Sequence, residues 1–350
     1  MCGREPEYVR NQIILKSLIK HNFKILRCTS SSKNFIWRYF VVFLKFIFNV
    51  SKCDVIFIGF FGQPLVPLVR FVTTKPIIFD AYLSGYDTLC FDRKRFKPES
   101  LFGRFFYWLD KYSCEVSDKI ILDTEAHINY FNETFGLDKS KFERVFIGAD
   151  ETLFYPRNIQ PTEFTVFYYG SFLPLHGAHE IITAASLLKN EKIIFNIAGS
   201  GMGYDTAIHL ASNLKLKNLN FNGWTPHEQL PNEIAKASIC LGGHYSDIAK
   251  AQRVISTKTY QCLAMKKPVI VGDNPASKEL LINGKNCLMV KNKNPEALKN
   301  AILKLKKNPS LAKPIADDGY QIYLKQASVE VISKQLIKII SEVKSPNKSK

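Results

Sequence analysis

Short apolar runs alternate with amphipathic stretches along this chain, and past the midpoint the alternation begins again. Residues 24–28 (KILRC), 54–59 (DVIFIG), 75–80 (KPIIFD), 119–123 (KIILD) and 142–147 read as strands. Helical periodicity separates them over 4–22, 35–50 and 105–117. A second series follows, with strands at 164–169, 192–198, 219–222, 238–241 and 269–271 and helices at 178–188, after Ser256, and at 297–307. Strands that alternate with helices select a parallel sheet covered on both faces. Ligands of such sheets bind beyond the carboxyl ends of the strands. At 350 residues the chain exceeds what one core of about 250–300 residues supports, so two α/β halves are expected. Their expected limits are 1–158 and 159–326, with a last helix at 327–343 as a candidate to cross back to the first half. The polar tail 344–350 reads as disordered. Met1 to Gly3 are too few for a full strand, so the first half is expected to have a truncated first strand.

Charge narrows the partners. With 48 basic against 31 acidic residues the formal charge is +17, which favours an anionic partner: nucleic acid, nucleotide or an acidic membrane surface. The lysines are dispersed and no arginine-rich arm or nucleic-acid motif appears, so nucleic acid ranks last. The eight cysteines form no C-x-x-C pair and mostly sit inside apolar runs, as buried reduced thiols of a cytoplasmic protein do. No cleavable signal peptide is expected. The stretch 35–50 (FIWRYFVVFLKFIFNV) is interrupted by Arg38 and Lys45 and falls short of the about 20 apolar residues that span a bilayer. It reads as an interfacial helix that dips Trp37, Phe40 and Phe43 into headgroups, with a core helix beside the sheet as the alternative.

The stretch with most local chemistry is 250–273 (KAQRVISTKTYQCLAMKKPVIVGD). Ser256 or Thr257 can cap a short helix whose first turn holds Lys258, with Gln261 on the same face. Lys266 and Lys267 suit the negative end of its dipole, and Pro268 stops it. A helix start that bears a lysine, approached by Lys250 and Arg253, suits a phosphorylated ligand. An ordinary αβ connection with solvated lysines fits the same residues. Four further loops follow strands of the second half: Gly170-Ser171 with His176-Gly177, the GSGMG run with Gly199 and Gly201, Gly223-Trp224, and Gly242 to Asp247 with His244. Glycine there lets backbone N–H groups approach phosphate. No P-loop, no G-x-G-x-x-G opening a dinucleotide fold, no D-x-D and no close His/Asp/Glu cluster appears, so neither a cofactor nor a metal is expected. Charge neutralisation then falls to Lys258 and Arg253. In the first half, Asp80 ends a strand before a polar loop and is the candidate there, with a turn cap as its alternative.

Taken in order, IGADETLFYP, YYGSFLPLHGAHEIITAASLL, FNIAGSGMG, LNFNGWTPHEQLPNEIAKASICLG and STKTYQCLAMKKPVIVGDNPASKELLINGKNCLMV resemble the retaining nucleotide-sugar glycosyltransferases of the GT-B type, family 4 class. The resemblance is strongest over 119–307. It implies two Rossmann-like doubly wound domains that face across a cleft, with a nucleoside diphosphate sugar on the second and a glycan or lipid-linked acceptor on the first. It places Lys258 at the donor diphosphate and Gln261 where most members carry a ribose-binding glutamate. Arg253 stands where the other glutamate of the pair is usual, and Ser171 and His176 replace an arginine and a lysine. Trp224 would lie near the base, His244 and Asp247 near the transferred sugar, and Asp80 towards the acceptor. The implied reaction is metal-independent hexosyl transfer in polysaccharide or lipid-linked glycan synthesis, peripheral on the inner face of the membrane. A nucleotide-sugar epimerase or a catalytically weak nucleotide-sugar-binding protein are the alternatives.

Overall fold

The computed structural model describes residues 1–3 and 7–344, so the start of the expected first helix and residues 345–350 of the expected disordered tail lie outside the described residues, while Lys344 ends the last helix. The chain divides into two compact units. One comprises residues 1–147 together with those from Val329 on, and the other is Gly148–Ser328.

In the first unit β1 (Cys2–Gly3), α1 (Val9–Lys20), β2 (Cys28–Thr29), α2 (Phe35–Ile47), β3 (Ile56–Ile58), α3 (Leu65–Val72), β4 (Ile77–Asp80), α4 (Leu101–Glu115), β5 (Lys119–Leu122), α5 (Glu125–Phe135) and β6 (Phe142–Arg144) follow one another. The sheet is parallel throughout, in the order β2-β1-β3-β4-β5-β6. Met1 to Gly3 contribute a strand of only two residues, shorter than a full strand, as their number leads one to expect. Two residues suffice because both neighbours are present: Cys28 N–H donates to the Met1 carbonyl and Gly59 N–H to the Cys2 carbonyl, each at 2.9 Å. The run 24–28, expected as a full strand, pairs only at its end. Side-chain caps set helix starts as their sequences allow: Asn34 accepts from Trp37 N–H, Ser100 from Gly103 N–H and Thr124 from His127 N–H. Gly136, in the left-handed region at φ 66°, ends α5.

The second unit runs β7 (Thr165–Gly170), α6 (Ala178–Leu187), β8 (Ile194–Gly199), α7 (Tyr204–Asn213), β9 (Leu219–Phe221), α8 (Leu230–Lys236), β10 (Ile239–Gly243), α9 (Thr257–Ala264), β11 (Val269–Gly272), α10 (Pro275–Leu280), β12 (Leu288–Val290), α11 (Pro295–Lys307) and α12 (Pro309–Gln326). Its parallel sheet has the order β12-β11-β10-β7-β8-β9. The strand expected to complete the sheet, β11, is instead flanked by β12, which pairs Ile270 with Leu288. The direction of winding reverses between β7 and β10, and a ligand of such a sheet is expected at their carboxyl ends. Residues 148–158 belong to this unit, earlier than the boundary read from composition. They are tied there by Tyr323, whose hydroxyl donates to Glu151 at 2.9 Å, and by the bond from Arg157 to Asn232.

The last helix, α13 (Val329–Lys344), packs on α1 in the first unit. Its Ile332, Leu336, Ile339, Ile340 and Val343 share one core with Ile13, Ile14, Leu18, Phe57, Ile78 and Ile121.

Candidate functional site

At the carboxyl ends of β7 and β10 the second unit gathers a buried cation and several polar atoms without partners. Lys258, in the first turn of α9, is only 7% exposed. Every residue from Lys258 to Ala264 is buried, so α9 is enclosed rather than half-solvated. The alternative of solvated lysines does not hold at this position. Lys258 makes no ion pair or hydrogen bond among the described residues, and its ammonium lies 5.6 Å from the centre of the Tyr168 ring. Burial pulls its pKa from 10.5 down to about 8. Lys266 and Lys267 differ from it: Lys266 pairs with Asp317, and Lys267 donates to the carbonyls of Ala235 and Ala237 at the end of α8.

Around this amine stand His176, on the turn Pro174–His176, and His244, after β10. Their rings stack at 5.6 Å and 13°, and the Nδ1 of each is buried without a hydrogen-bond partner among the described residues, as is the Tyr168 hydroxyl. Burial, reinforced by the Lys258 charge, holds His244 down at about 3 and His176 well below its ordinary range, so both imidazoles are neutral at neutral pH. Gly170 is the point on which they converge. A Cβ placed there would lie 3.1 Å from the Tyr168 hydroxyl, 3.3 Å from His176 Nδ1 and 3.3 Å from Lys258 Nζ. An uncompensated buried ammonium beside unpaired donors is costly until an anion enters. The arrangement therefore suits a compact, strongly anionic group.

The loop after β8 lies against this point backbone to backbone. Gly199 (φ 136°) and Gly201 (φ 119°) approach the carbonyls of Gly170 and Ser171 so closely that any Cβ would collide with them. Together with Tyr169, Ser200, Thr225, His227 and Leu230, the residues Gly170, Ser171, Gly199 and Trp224 line a cavity of about 310 Å³. Trp224 is 70% exposed over it, an apolar surface suited to a stacked ring. Gln261 is buried, and its side-chain carbonyl accepts from the Tyr169 hydroxyl, which leaves its amide N–H groups for another partner. Tyr168 and Tyr169 were not candidates from sequence, where they read as strand residues.

The other candidates sit apart from Lys258 or at its margin. Gly177 and Asp247 line a separate cavity of about 360 Å³ with Phe172, Met202 and Ser246. Asp247 is exposed and pairs with Lys293 at 2.9 Å, which holds its carboxyl below the usual range. Lys250 is buried in the turn Ala249–Gln252, and Arg253 follows it half-buried.

In the first unit the structure corrects the reading of Asp80. Its carboxylate is fully buried, both oxygens accepting from Arg10 Nε at 2.9 and 2.8 Å, while Arg10 Nη1 donates to the Val145 carbonyl. Asp80 is the buried anchor of α1, not a group presented outward. The next strand end carries Asp123, whose Oδ1 lies 2.8 Å from His127 Nδ1 and whose Oδ2 is buried without a hydrogen-bond partner. Among the described residues no group of three or more His, Cys, Asp or Glu could hold a metal ion, and no helix is long and apolar enough to cross a membrane.

Residues 150–322 match the family model of Glycosyl transferases group 1. Over 220 residues the chain is 25% identical to the uncharacterized glycosyltransferase MJ1178 of Methanocaldococcus jannaschii, a match covering 63% of this chain and 58% of that protein. It is 24% identical over 307 residues to the uncharacterized glycosyltransferase MJ1069 of the same organism, covering 78% and 71%. Among solved structures it is similar to Anabaena Alr3699/HepE in complex with UDP, with TM-score 0.74, 14% identity and coverage of 98% of this chain and 100% of that one. It is also similar to sucrose-phosphate synthase from Thermosynechococcus elongatus, with TM-score 0.73, 16% identity and coverage of 88% and 79%. The common fold is GT-B, with two Rossmann-like α/β units.

Proposed function

With a Glycosyl transferases group 1 region over residues 150–322 as the premise, we propose that this chain transfers a sugar from a nucleoside diphosphate sugar to a hydroxyl acceptor. The observation that carries this reading is the buried Lys258 ammonium, without a counter-charge among the described residues, at the switch point of the second sheet. Breaking a sugar–phosphate bond leaves an oxocarbenium-like sugar and a diphosphate that gains negative charge. A fixed cation in a dry site stabilises that charge more in the transition state than in the ground state. In this reading Lys258 takes the diphosphate, and neutral His176 and His244 supply N–H donors that need no reorganisation. The backbone at Gly199 and Gly201 closes on the phosphates, Trp224 covers the base, and the Gln261 amide reaches the ribose. The complex of Alr3699/HepE with UDP is consistent with a uridine nucleotide as the first to try.

Transfer is proposed to proceed with retention and without a metal, the departing phosphate taking the acceptor proton while Lys258 balances its charge. The acceptor is proposed to be lipid-linked, and the chain to rest on the inner face of an anionic membrane in surface-glycan synthesis. Support for that comes from α2, whose Tyr39, Val42 and Phe46 are buried while Phe35, Ile36, Trp37, Phe40 and Ile47 are exposed. Phe43, expected to dip outward, packs on the core instead. Incubation with a panel of nucleotide sugars and chain-bearing acceptors, followed by mass spectrometry and NMR of the anomeric centre, tests the reading. Transfer with the donor's anomeric configuration is expected. Inversion would sink the mechanism, and isomerised donor without transfer would sink the reaction.

A further inference from the structure

The first unit holds a concave site of its own. A cavity of about 1100 Å³ opens beside α2, α3 and α4, slightly above the about 300–1,000 Å³ of small-molecule sites. Phe35, Phe60, Phe61, Leu68, Phe106 and Trp108 are among the residues that line it. Two carboxylates reach it. That of Asp110 is already bonded by Ser84, Gly85 and Tyr86, and that of Glu7 lies exposed. Arg93 and Arg95 also line it, both exposed and neither with a carboxylate partner among the described residues. They belong to the basic run Arg93-Lys94-Arg95 with Lys97 two residues on. The same three helices expose further aromatic and aliphatic side chains, including Trp37, Phe71 (93% exposed), Leu101, Phe102 and Tyr112. An apolar patch of this extent marks an interaction surface.

We propose that this groove takes one hydrocarbon chain of an anionic membrane lipid, with the lipid phosphate held by Arg93 and Arg95. Charge decides between occupants. A second copy of this chain would bring one chain of formal charge +17 against another, whereas a lipid phosphate supplies an anion to two guanidinium groups that have no carboxylate partner among the described residues. The aromatic rim fits the depth at which Trp and Tyr settle in a bilayer interface. The inference rests on the membrane reading of α2 but can fail separately from it, because a monomeric amphiphile tests the groove without a bilayer.

The test uses the full chain carrying Trp37→Phe and Trp224→Phe, so that Trp108 is the one indole left. Terminally brominated dodecyl phosphate is titrated below its micellar concentration and Trp108 quenching is read. Saturable quenching is expected, at about tenfold lower concentration than for the matching alkyl trimethylammonium. Leu68→Asp, at a half-exposed position of α3, is expected to weaken it by about tenfold or more. Arg93→Glu with Arg95→Glu is expected to remove the preference for phosphate. Unsaturable quenching, or quenching that Leu68→Asp leaves unchanged, overturns the proposal. So does light scattering that shows a dimer broken by Leu68→Asp. Flotation with phosphatidylglycerol vesicles is scored separately: vesicle binding without Trp108 quenching leaves the surface reading standing and removes the groove.

Discussion

Replacing Lys258 by methionine separates binding from stability. Methionine keeps the reach of the lysine stem and removes the charge. Burial lowers the ammonium from 10.5 to about 8, and at about 1.4 kcal/mol per tenfold change in proton affinity this amounts to about 3 kcal/mol. The sign follows from proton counting. Below pH 8 both folded and unfolded chains carry the proton, so the folded state bears the whole penalty. Between pH 8 and 10.5 the unfolded chain still holds a proton that the folded chain has lost, so stability rises with pH. Above 10.5 the penalty is gone. For a unit the size of Gly148–Ser328, about 2–4 °C per kcal/mol applies. Lys258→Met should therefore raise the apo melting temperature at pH 7 by about 6–12 °C, and its gain over the parent should vanish by about pH 10.5. UDP, added at about one hundred times its Kd, should stabilise the parent by about 2.7 kcal/mol and the variant hardly at all. Differential scanning calorimetry across pH, with and without UDP, reads both effects. A variant that melts lower than the parent and still responds equally to UDP would refute both the uncompensated charge and its role.

Other positions give sharper local tests. Gly170→Ala, at a position whose backbone accepts a side chain, pushes a methyl among Lys258 Nζ, His176 Nδ1 and the Tyr168 hydroxyl. It should weaken UDP binding by about tenfold while leaving circular dichroism unchanged, as isothermal titration would show. Gly199→Ala meets the Gly170 carbonyl and a φ of 136°, so urea unfolding should show a loss of about 2 kcal/mol or more. Arg10→Met strands the Asp80 carboxylate in the core and should cost about 3–5 kcal/mol, whereas Arg10→Met with Asp80→Leu should recover most of that. Equal destabilisation of the single and double variants would mean that something other than the ion pair ties α1 to β4.

The alternation of strands and helices and the two parallel sheets were legible because each rests on local pattern. What was not legible depends on pairing between distant residues. Asp80 reads as an outward strand-end carboxylate until Arg10, seventy residues earlier, is placed against it. Cys2-Gly3 is too short to read as a strand, and only its neighbours Cys28 and Ile58 make it one. Tyr168 and Tyr169 look like interchangeable aromatic strand residues. Their alternation sends one beneath Lys258 and the other to Gln261, a difference set by strand parity and by where α9 docks. Lys258, Lys266 and Lys267 are indistinguishable as letters and have three different surroundings in the fold.

The return of α13 to the first unit has a consequence for synthesis. The face formed by Phe57, Ile78 and Ile121 is made early on the ribosome, yet the helix that covers it is not translated until all of Gly148–Ser328 has been made. Residues encoded later thus have the opportunity to finish folding first, while an apolar sheet face that α1 covers only in part waits for Ile332, Leu336 and Ile339. A nascent chain stalled before Val329 should accordingly be a preferred client of chaperones that recognise exposed apolar strands, and release past Val343 should end that engagement.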